Sequence, residues 1–219
     1  LDIAPGMLAE ARRHKPWFRK LATVEGDLSS MPLADDSVDL VFSSLALQWL
    51  NDPDAAFTEF RRVLRGGGLI VFSTFGPDTL KELRTAWSLV DGFTHVNRFL
   101  DLHDIGDALV RTGFTEVVMD VEHFTLTYDR AVGLLRDLKA IGAHNVNAGR
   151  AHGLTGRKRF AAFEAAYENF RVNGKLPATY EVVYGTAWLP EQPKGVRYVQ
   201  DGAVSVEALR KSLKERSGK

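Results

Sequence analysis

The sequence predicts an α/β fold in which helices cover both faces of a mainly parallel sheet. Three observations support this prediction. Short apolar segments alternate with amphipathic segments along the first two thirds of the chain. Segments such as Val38–Ser43 and Leu69–Phe75 are almost continuously apolar, which is typical of strands buried on both faces. A chain of 219 residues, 45% of them apolar, is also long enough for one large α/β domain.

The first predicted elements are a strand end, a helix and a short strand. Leu1–Ile3 has the pattern of the end of a buried strand, and Pro5–His14 that of a helix with Pro5 in its first turn. Leu21–Glu25 follows as a short strand stopped by Gly26. Because the chain opens on a buried strand without an initiator Met, we expect that further sequence precedes it in the natural protein.

A helix and a further strand continue the alternation. Asp54–Leu64 carries its apolar residues on one side, and Asp52 or Asp54 is its expected N-cap. Gly66–Gly68 is expected to end this helix before the strand Leu69–Phe75. Three glycines suit a phosphate loop, but such loops lie between a strand and the helix after it. We therefore assign the glycines to a turn.

The rest of the chain predicts four helices and two strands. Gly113 is expected to close one of these helices. The two strands are separated by helices, and we expect them to form an antiparallel hairpin at the sheet edge. The predicted helices are Thr79–Leu89, Leu102–Thr112, Arg130–Ile141 and Lys158–Phe170, and the strands are Glu116–Thr127 and Tyr180–Leu189.

Composition and charge narrow the functional classes. The formal net charge is zero, so no overall field favours nucleic acid or a membrane surface, and we expect neither as a partner. No apolar run approaches the roughly 20 residues of a membrane span. The chain has no cysteine, which excludes disulfides and thiolate metal sites and fits a reducing, cytoplasmic compartment.

Charge is distributed unevenly along the chain. From Asp27 to Glu59 there are seven acidic residues and no Lys or Arg, whereas Lys194–Lys219 has seven basic and three acidic residues. Both stretches are typical of solvated surface. We divide the chain into a domain at residues 1–190 and a basic tail at residues 191–219, in which Val206–Lys214 favours a short helix.

Two acidic residues follow consecutive predicted strands. Asp2 lies three residues before a helix, and Asp27 follows the next strand. Ligands of open α/β sheets bind at the carboxyl ends of strands, where a carboxylate can accept from ribose hydroxyls or an adenine amino group. The Leu28 N–H could then donate to the adenine ring. The alternatives are a helix N-cap for Asp2 and a Gly-Asp turn for Asp27. Together the two acids favour a nucleoside site.

Further candidates lie along the same edge of the sheet. Ser43, Ser44 and Leu45 follow the next strand, and Gln48 and Trp49 come directly after them. Because strand ends of a parallel sheet share one edge, we expect these residues to face the same ligand. For Trp49 the alternative is packing within the core.

A polar segment between two predicted helices contains His95, Asn97 and Arg98. An Arg there can bind a carboxylate through two N–H groups. The alternative is an ordinary surface loop.

The sequence favours neither a metal site nor a catalytic dyad. The polar residues of His144–His152 lack metal-ligand spacing and include no carboxylate. No Ser-His-Asp or Cys-His arrangement stands out. We therefore expect no metal and no catalytic side chain.

Several motifs resemble those of class I S-adenosyl-L-methionine-dependent methyltransferases. The resemblance implies a Rossmann-like class I methyltransferase sheet with a helical insertion before the last strand. It also implies that the sheet is N-terminally truncated, because the family's first strand and glycine-rich loop have no counterpart here. The motifs are Leu1–Leu8, Gly26-Asp27 with Met31–Leu33, Phe42–Trp49 and Arg62–Gly68.

A narrower set of motifs is similar to the malonyl-acyl carrier protein O-methyltransferases of biotin synthesis. The resemblance covers the chain from Leu1 to about Pro190. The motifs are Leu45–Trp49, Leu80–Arg84 with Ala86-Trp87, Asn97–Leu100, Leu138–Ala143 and Leu176–Glu181.

This resemblance implies an O-methyltransferase with S-adenosyl-L-methionine as cofactor and an acyl carrier protein bearing a malonyl thioester as partner. The free malonyl carboxylate would receive the methyl group. Asp2 would hold the ribose and Met7 would pack on the adenine. Arg98 would bind one oxygen of the carboxylate. The other cofactor contacts would be Asp27, Leu28, Ser43, Ser44 and Leu45, and the other substrate contacts Gln48, Trp49, His95 and Asn97.

Two other functions remain open. One is a methyltransferase of the same fold that acts on another small carboxylate or phenol. The other is a non-catalytic assembly factor, since methyltransferase-like assembly proteins also resemble this family. An intact glycine-rich loop in the natural protein would favour an enzyme.

Overall fold

The structure is a computed structural model that describes residues 1–15, 20–50, 52–143 and 155–191. Helices and strands alternate along its first part, and helices and a hairpin form the rest. The helices are α1 (Pro5–Arg13), α2 (Pro53–Val63), α3 (Lys81–Ser88), α4 (Leu102–Arg111), α5 (Ala131–Ala140) and α6 (Arg157–Glu168), and a 3₁₀ turn spans Leu47–Trp49. The strands are β1 (Val38–Ser44), β2 (Leu64–Phe75), β3 (Thr115–Tyr128) and β4 (Leu176–Trp188).

Four strands form one sheet in the order β1-β2-β4-β3. β1 and β2 run parallel, whereas β4 is antiparallel to both β2 and β3. The predicted antiparallel hairpin is therefore confirmed, with the last strand inside the sheet and β3 at its edge. The predicted α/β architecture, with helices inserted before the last strand, is confirmed as well. The sheet of these four strands is not mainly parallel as predicted, because only the β1–β2 pairing is parallel and β4 inserts antiparallel between β2 and β3.

The first two predicted strands are shorter than expected. Of Leu1–Ile3 and Leu21–Glu25, only Asp2 and Glu25 pair, in an isolated parallel bridge. Among the described strands, none pairs with this bridge. A pair of strands without further neighbours is marginally stable, which accounts for the short pairing.

The three glycines predicted to form a turn belong to β2 instead. The chain passes directly from α2 into β2, and its backbone is extended at the first residue of β2, Leu64. The Gly67 N–H donates to the Leu189 carbonyl and the Leu189 N–H donates to the Gly68 carbonyl, each at 2.8 Å. A Cβ on Gly68 would lie 2.8 Å from the Arg65 carbonyl oxygen. Glycine is therefore required here by close backbone approach within a strand.

The main core lies between one face of the sheet and the helices α2 and α4. Phe57 and Phe60 of α2 and Leu109 of α4 pack there with Ile70 and Phe72 of β2, and all five are buried. The rings of Phe57 and Phe72 have their centroids 5.9 Å apart. The amphipathic pattern of α2 thus faces the sheet, as predicted.

The opposite face of the sheet is covered only in part. Trp87 of α3, Leu134 of α5 and Phe163 of α6 form a second cluster over the start of β4. Further along the same face, Phe42 and Trp188 are 71% and 43% exposed. Within the described residues, the prediction that helices cover both faces is therefore met for one face and for one end of the other.

Gly185 of β4 is expected to tolerate no side chain. A Cβ there would lie 2.2 Å from Cζ of the buried Phe72 ring. We expect Gly185→Ala to lower the free energy of unfolding by about 1–3 kcal/mol, because the ring can move only by disturbing the core. Denaturant unfolding measures this change.

A matched control is Gly106→Ala in α4, where nothing lies within 4 Å of the added Cβ. This change should raise the free energy of unfolding by about 0.5–1 kcal/mol, because alanine favours helix more than glycine does. Equal stability of Gly185→Ala and the parent protein would contradict the close approach to Phe72.

Some predictions concern residues outside the described ranges. They are the polar segment His144–His152, the helix at Val206–Lys214 and, apart from residue 191, the basic tail. The division into a domain and a tail therefore stays a prediction. No helix in the described part of the chain is both long and apolar enough to cross a membrane.

Candidate functional site

The two predicted nucleoside-binding acids lie on neighbouring segments of the chain. The Asp2 N–H donates to the Val24 carbonyl at 3.2 Å, and the Gly26 N–H donates to the Asp2 carbonyl at 3.1 Å. Asp27 directly follows the segment that pairs with Asp2. Both acids therefore stand at the carboxyl ends of short parallel segments, where α/β folds bind ligands.

Each of these carboxylates uses one oxygen within its own turn. Asp2 Oδ1 accepts from the Ala4 N–H at 2.8 Å, and Ala4 rather than Asp2 is the N-cap of α1. Asp27 Oδ1 accepts from the Ser29 hydroxyl at 2.6 Å and the Ser29 N–H at 2.8 Å. These bonds hold the pKa of Asp27 below its usual range. A carboxylate has two oxygens, so each acid can also accept from a ligand.

Arg62 holds the segment after Asp27 against α2. Its guanidinium donates to the Met31 carbonyl at 2.9 Å and to the Leu33 carbonyl at 2.8 Å. Glu59 accepts from Arg62 at 2.8 Å and from the Met31 N–H at 2.9 Å. The bond to Glu59 raises the pKa of Arg62 above its ordinary value. The segment on the predicted adenine side is thereby fixed to a helix of the core.

The chain turns sharply at the end of β1. The Ser43 side chain is buried, and its hydroxyl has no hydrogen-bond partner in the structure as described. Leu45 has a left-handed φ of 49°. Such strain costs a non-glycine residue about 1–3 kcal/mol and is concentrated at ligand-binding sites. The Leu45 N–H donates to the Ser73 carbonyl at 2.9 Å, which holds this turn against β2.

The chemistry of these residues fits the cofactor that the resemblance implies. Asp2 offers an acceptor for ribose hydroxyls, and Asp27 offers one for an adenine amino group. The unpaired hydroxyl of Ser43 can bind the polar methionine part. Met7 is 60% exposed, so its thioether is available to an adenine ring.

A cavity beside the ends of β1 and β2 brings together four of the five predicted substrate-binding residues, and for that reason it is called the main cavity. They are Gln48, Trp49, His95 and Asn97. The rest of the wall is mostly apolar and consists of Phe75, Thr79, Leu80, Leu83, Val96, Phe99, Leu138, Ile141, Ala143 and Tyr180.

Arg98, the fifth predicted substrate-binding residue, lines the neighbouring cavity. That cavity shares Gln48, Phe75 and Phe99 with the main cavity. Arg98 is exposed. The structure thus places it beside the predicted site rather than in its wall.

Two polar residues of the main cavity are held by hydrogen bonds to the protein. The Gln48 amide donates to the Leu45 carbonyl at 2.5 Å and accepts from the Thr74 hydroxyl at 3.4 Å. The Thr79 hydroxyl donates to the Glu181 carbonyl at 3.0 Å. Gln48 therefore joins the strained turn after β1 to the cavity wall.

Sequence reasoning missed two residues of this region. Asp91 Oδ1 lies 2.8 Å from His95 Nε2, and Tyr180 lines the main cavity. Burial raises the pKa of Tyr180 to about 12. The four-residue spacing of Asp91 and His95 indicates contact only on a helix, and this segment lies beyond α3. Tyr180 reaches the cavity only through the pairing of β4.

One group of described residues has the side chains of a metal site. Ligand atoms of Asp78, His123 and Glu181 lie within 4.8 Å of one another. Asp78 Oδ2 is already 2.8 Å from Lys81 Nζ, and this bond holds the pKa of Asp78 below its usual range. The lysine supplies the positive charge that a cation would bring, so we assign no metal to the group.

The sequence is similar to proteins of one named family. Residues 1–72 match a family model described as a methyltransferase domain. The malonyl-acyl carrier protein O-methyltransferase of Laribacter hongkongensis is 55% identical over 216 residues, which cover 94% of this chain and 72% of that protein. The corresponding protein of Gallionella capsiferriformans is 52% identical over 213 residues, with coverages of 94% and 72%.

Solved structures of low sequence identity share the fold. A methyltransferase structure from Bacillus halodurans matches 86% of this chain and 81% of its own with a TM-score of 0.58 at 16% identity. The YcgJ protein of Bacillus subtilis matches 87% and 81% with a TM-score of 0.55 at 14% identity. These matches confirm the predicted Rossmann-like methyltransferase fold.

The family model covers the strand ends that carry the predicted cofactor residues. The two relatives extend the similarity over 94% of the chain, and more than half of the aligned residues are identical. The chain therefore belongs to the family of malonyl-acyl carrier protein O-methyltransferases.

Proposed function

We propose that this protein transfers the methyl group of S-adenosyl-L-methionine to the free carboxylate of a malonyl thioester carried by an acyl carrier protein. The observation that carries the proposal is the main cavity, which is mostly apolar, lies beside the ends of β1 and β2 and contains the polar residues expected for an acceptor. The names of the relatives support the same activity. The product is a methyl ester, in which the malonyl carboxylate has lost its negative charge. The resemblance to enzymes of biotin synthesis implies this product.

The proposed reaction needs no general base. A malonyl carboxylate is already ionised at neutral pH, because carboxyl groups have a pKa of about 4. The bound cofactor supplies an electrophilic methyl group on a sulfonium. The residues of the protein bind the carboxylate, orient one of its oxygens and exclude water. Apolar side chains such as Phe75, Phe99 and Leu138 suit the last of these tasks.

We assign the cofactor contacts to the strand ends. Asp2 holds the ribose and Met7 packs on the adenine. Asp27 and the Leu28 N–H bind the adenine edge, and Ser43–Leu45 flanks the methionine part. The strained turn at Leu45 and the unpaired Ser43 hydroxyl support this assignment.

We assign the substrate contacts to the main cavity and its neighbour. Gln48, Trp49 and Asn97 contact the acceptor, and Arg98 binds one oxygen of its carboxylate from the neighbouring cavity. Contact with one oxygen leaves the other oxygen free to attack. It also limits the loss of nucleophilicity that a stronger charge pair would cause.

The proposed function is tested by methyl transfer from radiolabelled S-adenosyl-L-methionine with the purified protein. Label should enter malonyl-acyl carrier protein and should not enter acetyl-acyl carrier protein, which has no free carboxylate. Comparable labelling of other small carboxylates or phenols would indicate the alternative methyltransferase. Cofactor binding without any transfer would indicate the non-catalytic alternative.

Asp2→Ala should weaken the binding of S-adenosyl-L-methionine by about 1–3 kcal/mol, because the ribose hydroxyls would lose a charged acceptor. Calorimetric titration measures this affinity. Asp101→Ala is a matched control, because Asp101 also accepts from the N–H two residues on, at 2.8 Å, but lies at the start of α4. Equal cofactor affinity in Asp2→Ala and Asp101→Ala would show that Asp2 serves only its local turn.

A further inference from the structure

His95 is held by a hydrogen bond to Asp91 at the wall of the main cavity. Its Nε2 lies 2.8 Å from Asp91 Oδ1, and the two side chains are only 15% and 11% exposed. The imidazole stacks on the Trp87 ring with centroids 3.9 Å apart and an interplanar angle of 9°. Trp87 in turn stacks on Phe163 of α6 at 4.3 Å. The orientation of the imidazole is therefore fixed by both packing and hydrogen bonding.

Asp91 is suited to hold a protonated partner. It accepts from the Phe93 N–H at 3.1 Å, and its Oδ2 lies 3.5 Å from Arg159 Nε of α6. Burial alone would raise the pKa of Asp91, but the hydrogen bonds from His95 and Phe93 hold it below its usual range. An ionised Asp91 can only accept, so His95 Nε2 carries the proton of their hydrogen bond.

The composition of the cavity wall makes His95 distinctive. Of the described residues that line the main cavity, His95 alone can carry a positive charge, while Arg98 lies in the neighbouring cavity. A carboxylate that enters a mostly apolar cavity needs a charged or hydrogen-bonding partner, because its burial is otherwise costly. His95 can supply one through its second ring nitrogen, Nδ1, when both ring nitrogens are protonated.

We propose that Asp91 positions His95 so that His95 Nδ1 donates to the same carboxylate oxygen of the acceptor that Arg98 binds. This inference rests on the proposed function. One carboxylate oxygen can accept two hydrogen bonds, so the other oxygen stays free for the methyl group. Because Asp91 holds the ring through Nε2 and Trp87 stacks on it, the position of Nδ1 is set by the protein before the acceptor binds.

The experiment compares the binding of malonyl- and acetyl-acyl carrier protein to the protein loaded with S-adenosylhomocysteine, which has no methyl group to transfer. The parent protein should prefer the malonyl form, since only that form has the carboxylate. His95→Gln and Asp91→Asn should each weaken malonyl binding by about tenfold or more, as expected for a lost hydrogen bond to a charged group. Acetyl binding and cofactor affinity should change little.

His103→Gln is the matched control, because His103 Nδ1 also lies 2.8 Å from an aspartate, Asp101, but its side chain is 86% exposed and lies in α4. It should keep the malonyl preference of the parent protein. His95→Phe retains a ring that can stack on Trp87 but has no ring nitrogen. It should still lose the preference for the malonyl form, which would show that the nitrogen and not the packing of the ring recognises the carboxylate.

Three results would overturn the inference. They are equal weakening of both thioesters in the His95 variants, loss of cofactor affinity in the same variants, or an unchanged preference in Asp91→Asn. Failure of the proposed function is a separate outcome, because the parent protein itself would then show neither methyl transfer nor a malonyl preference.

Discussion

Replacing Arg98 by alanine should lower the turnover of malonyl-acyl carrier protein by about 100-fold, the scale of a misplaced reacting group. Arg98 borders the main cavity through Gln48, Phe75 and Phe99, which both cavities share. In the proposed reaction it holds one oxygen of the acceptor carboxylate. Without it the carboxylate would bind in several orientations, few of which direct the free oxygen to the methyl group.

Two further variants sharpen this prediction. Arg98→Lys should also be impaired, because an ammonium lacks the planar donors of a guanidinium. Arg111→Ala is a suitable control, since Arg111 is exposed and pairs with Asp54 at the start of α2. Turnover with labelled cofactor and calorimetric cofactor affinity should be measured together. Preserved turnover in both Arg98 variants, or a parallel loss of cofactor affinity, would assign Arg98 a structural or cofactor-binding role.

The sequence predicted the helices and strands better than the contacts between them. The apolar face of α2 and an N-cap at Asp52 or Asp54 follow from local chemistry. The apolar face is confirmed, and Asp52 is the N-cap, accepting from the Ala55 N–H at 3.3 Å. The glycines of β2 were assigned wrongly, because glycine marks both turns and close backbone approach. Gly68 is explained only by the Arg65 carbonyl beside it, a contact that the sequence does not show.

The candidate site was predictable where its residues follow strands. Gln48 and Trp49 lie within five residues of the end of β1, and His95 and Asn97 lie in one polar segment of the sequence. The main cavity includes all four. Asp91 could not be identified, because its bond to His95 depends on how the chain folds beyond α3. The roles of all these residues remain predictions.

Loss of the Glu82 carboxylate is expected to be the most destabilising of the proposed substitutions. Glu82 of α3 is buried and accepts from both the N–H and the hydroxyl of Thr179 in β4. Glu82→Ala would leave these two donors buried without an acceptor. Since each orphaned group costs about 1–3 kcal/mol, the free energy of unfolding should fall by about 2–6 kcal/mol.

The hydrogen bonds between Glu82 and Thr179 connect the stability of the fold to the candidate site, because residues next to both of them line the main cavity. The Leu80 N–H donates to the Thr179 carbonyl at 2.6 Å, and Leu80 has a left-handed φ of 54°.

Glu82→Gln should be less destabilising than Glu82→Ala, since its amide oxygen can still accept one bond. In a double-mutant cycle, Thr179→Val should cost less in the Glu82→Ala background than in the parent protein, because the hydroxyl has then already lost its acceptor. Denaturant unfolding of the four proteins measures the coupling, and strictly additive losses would mean that the carboxylate and the hydroxyl do not interact.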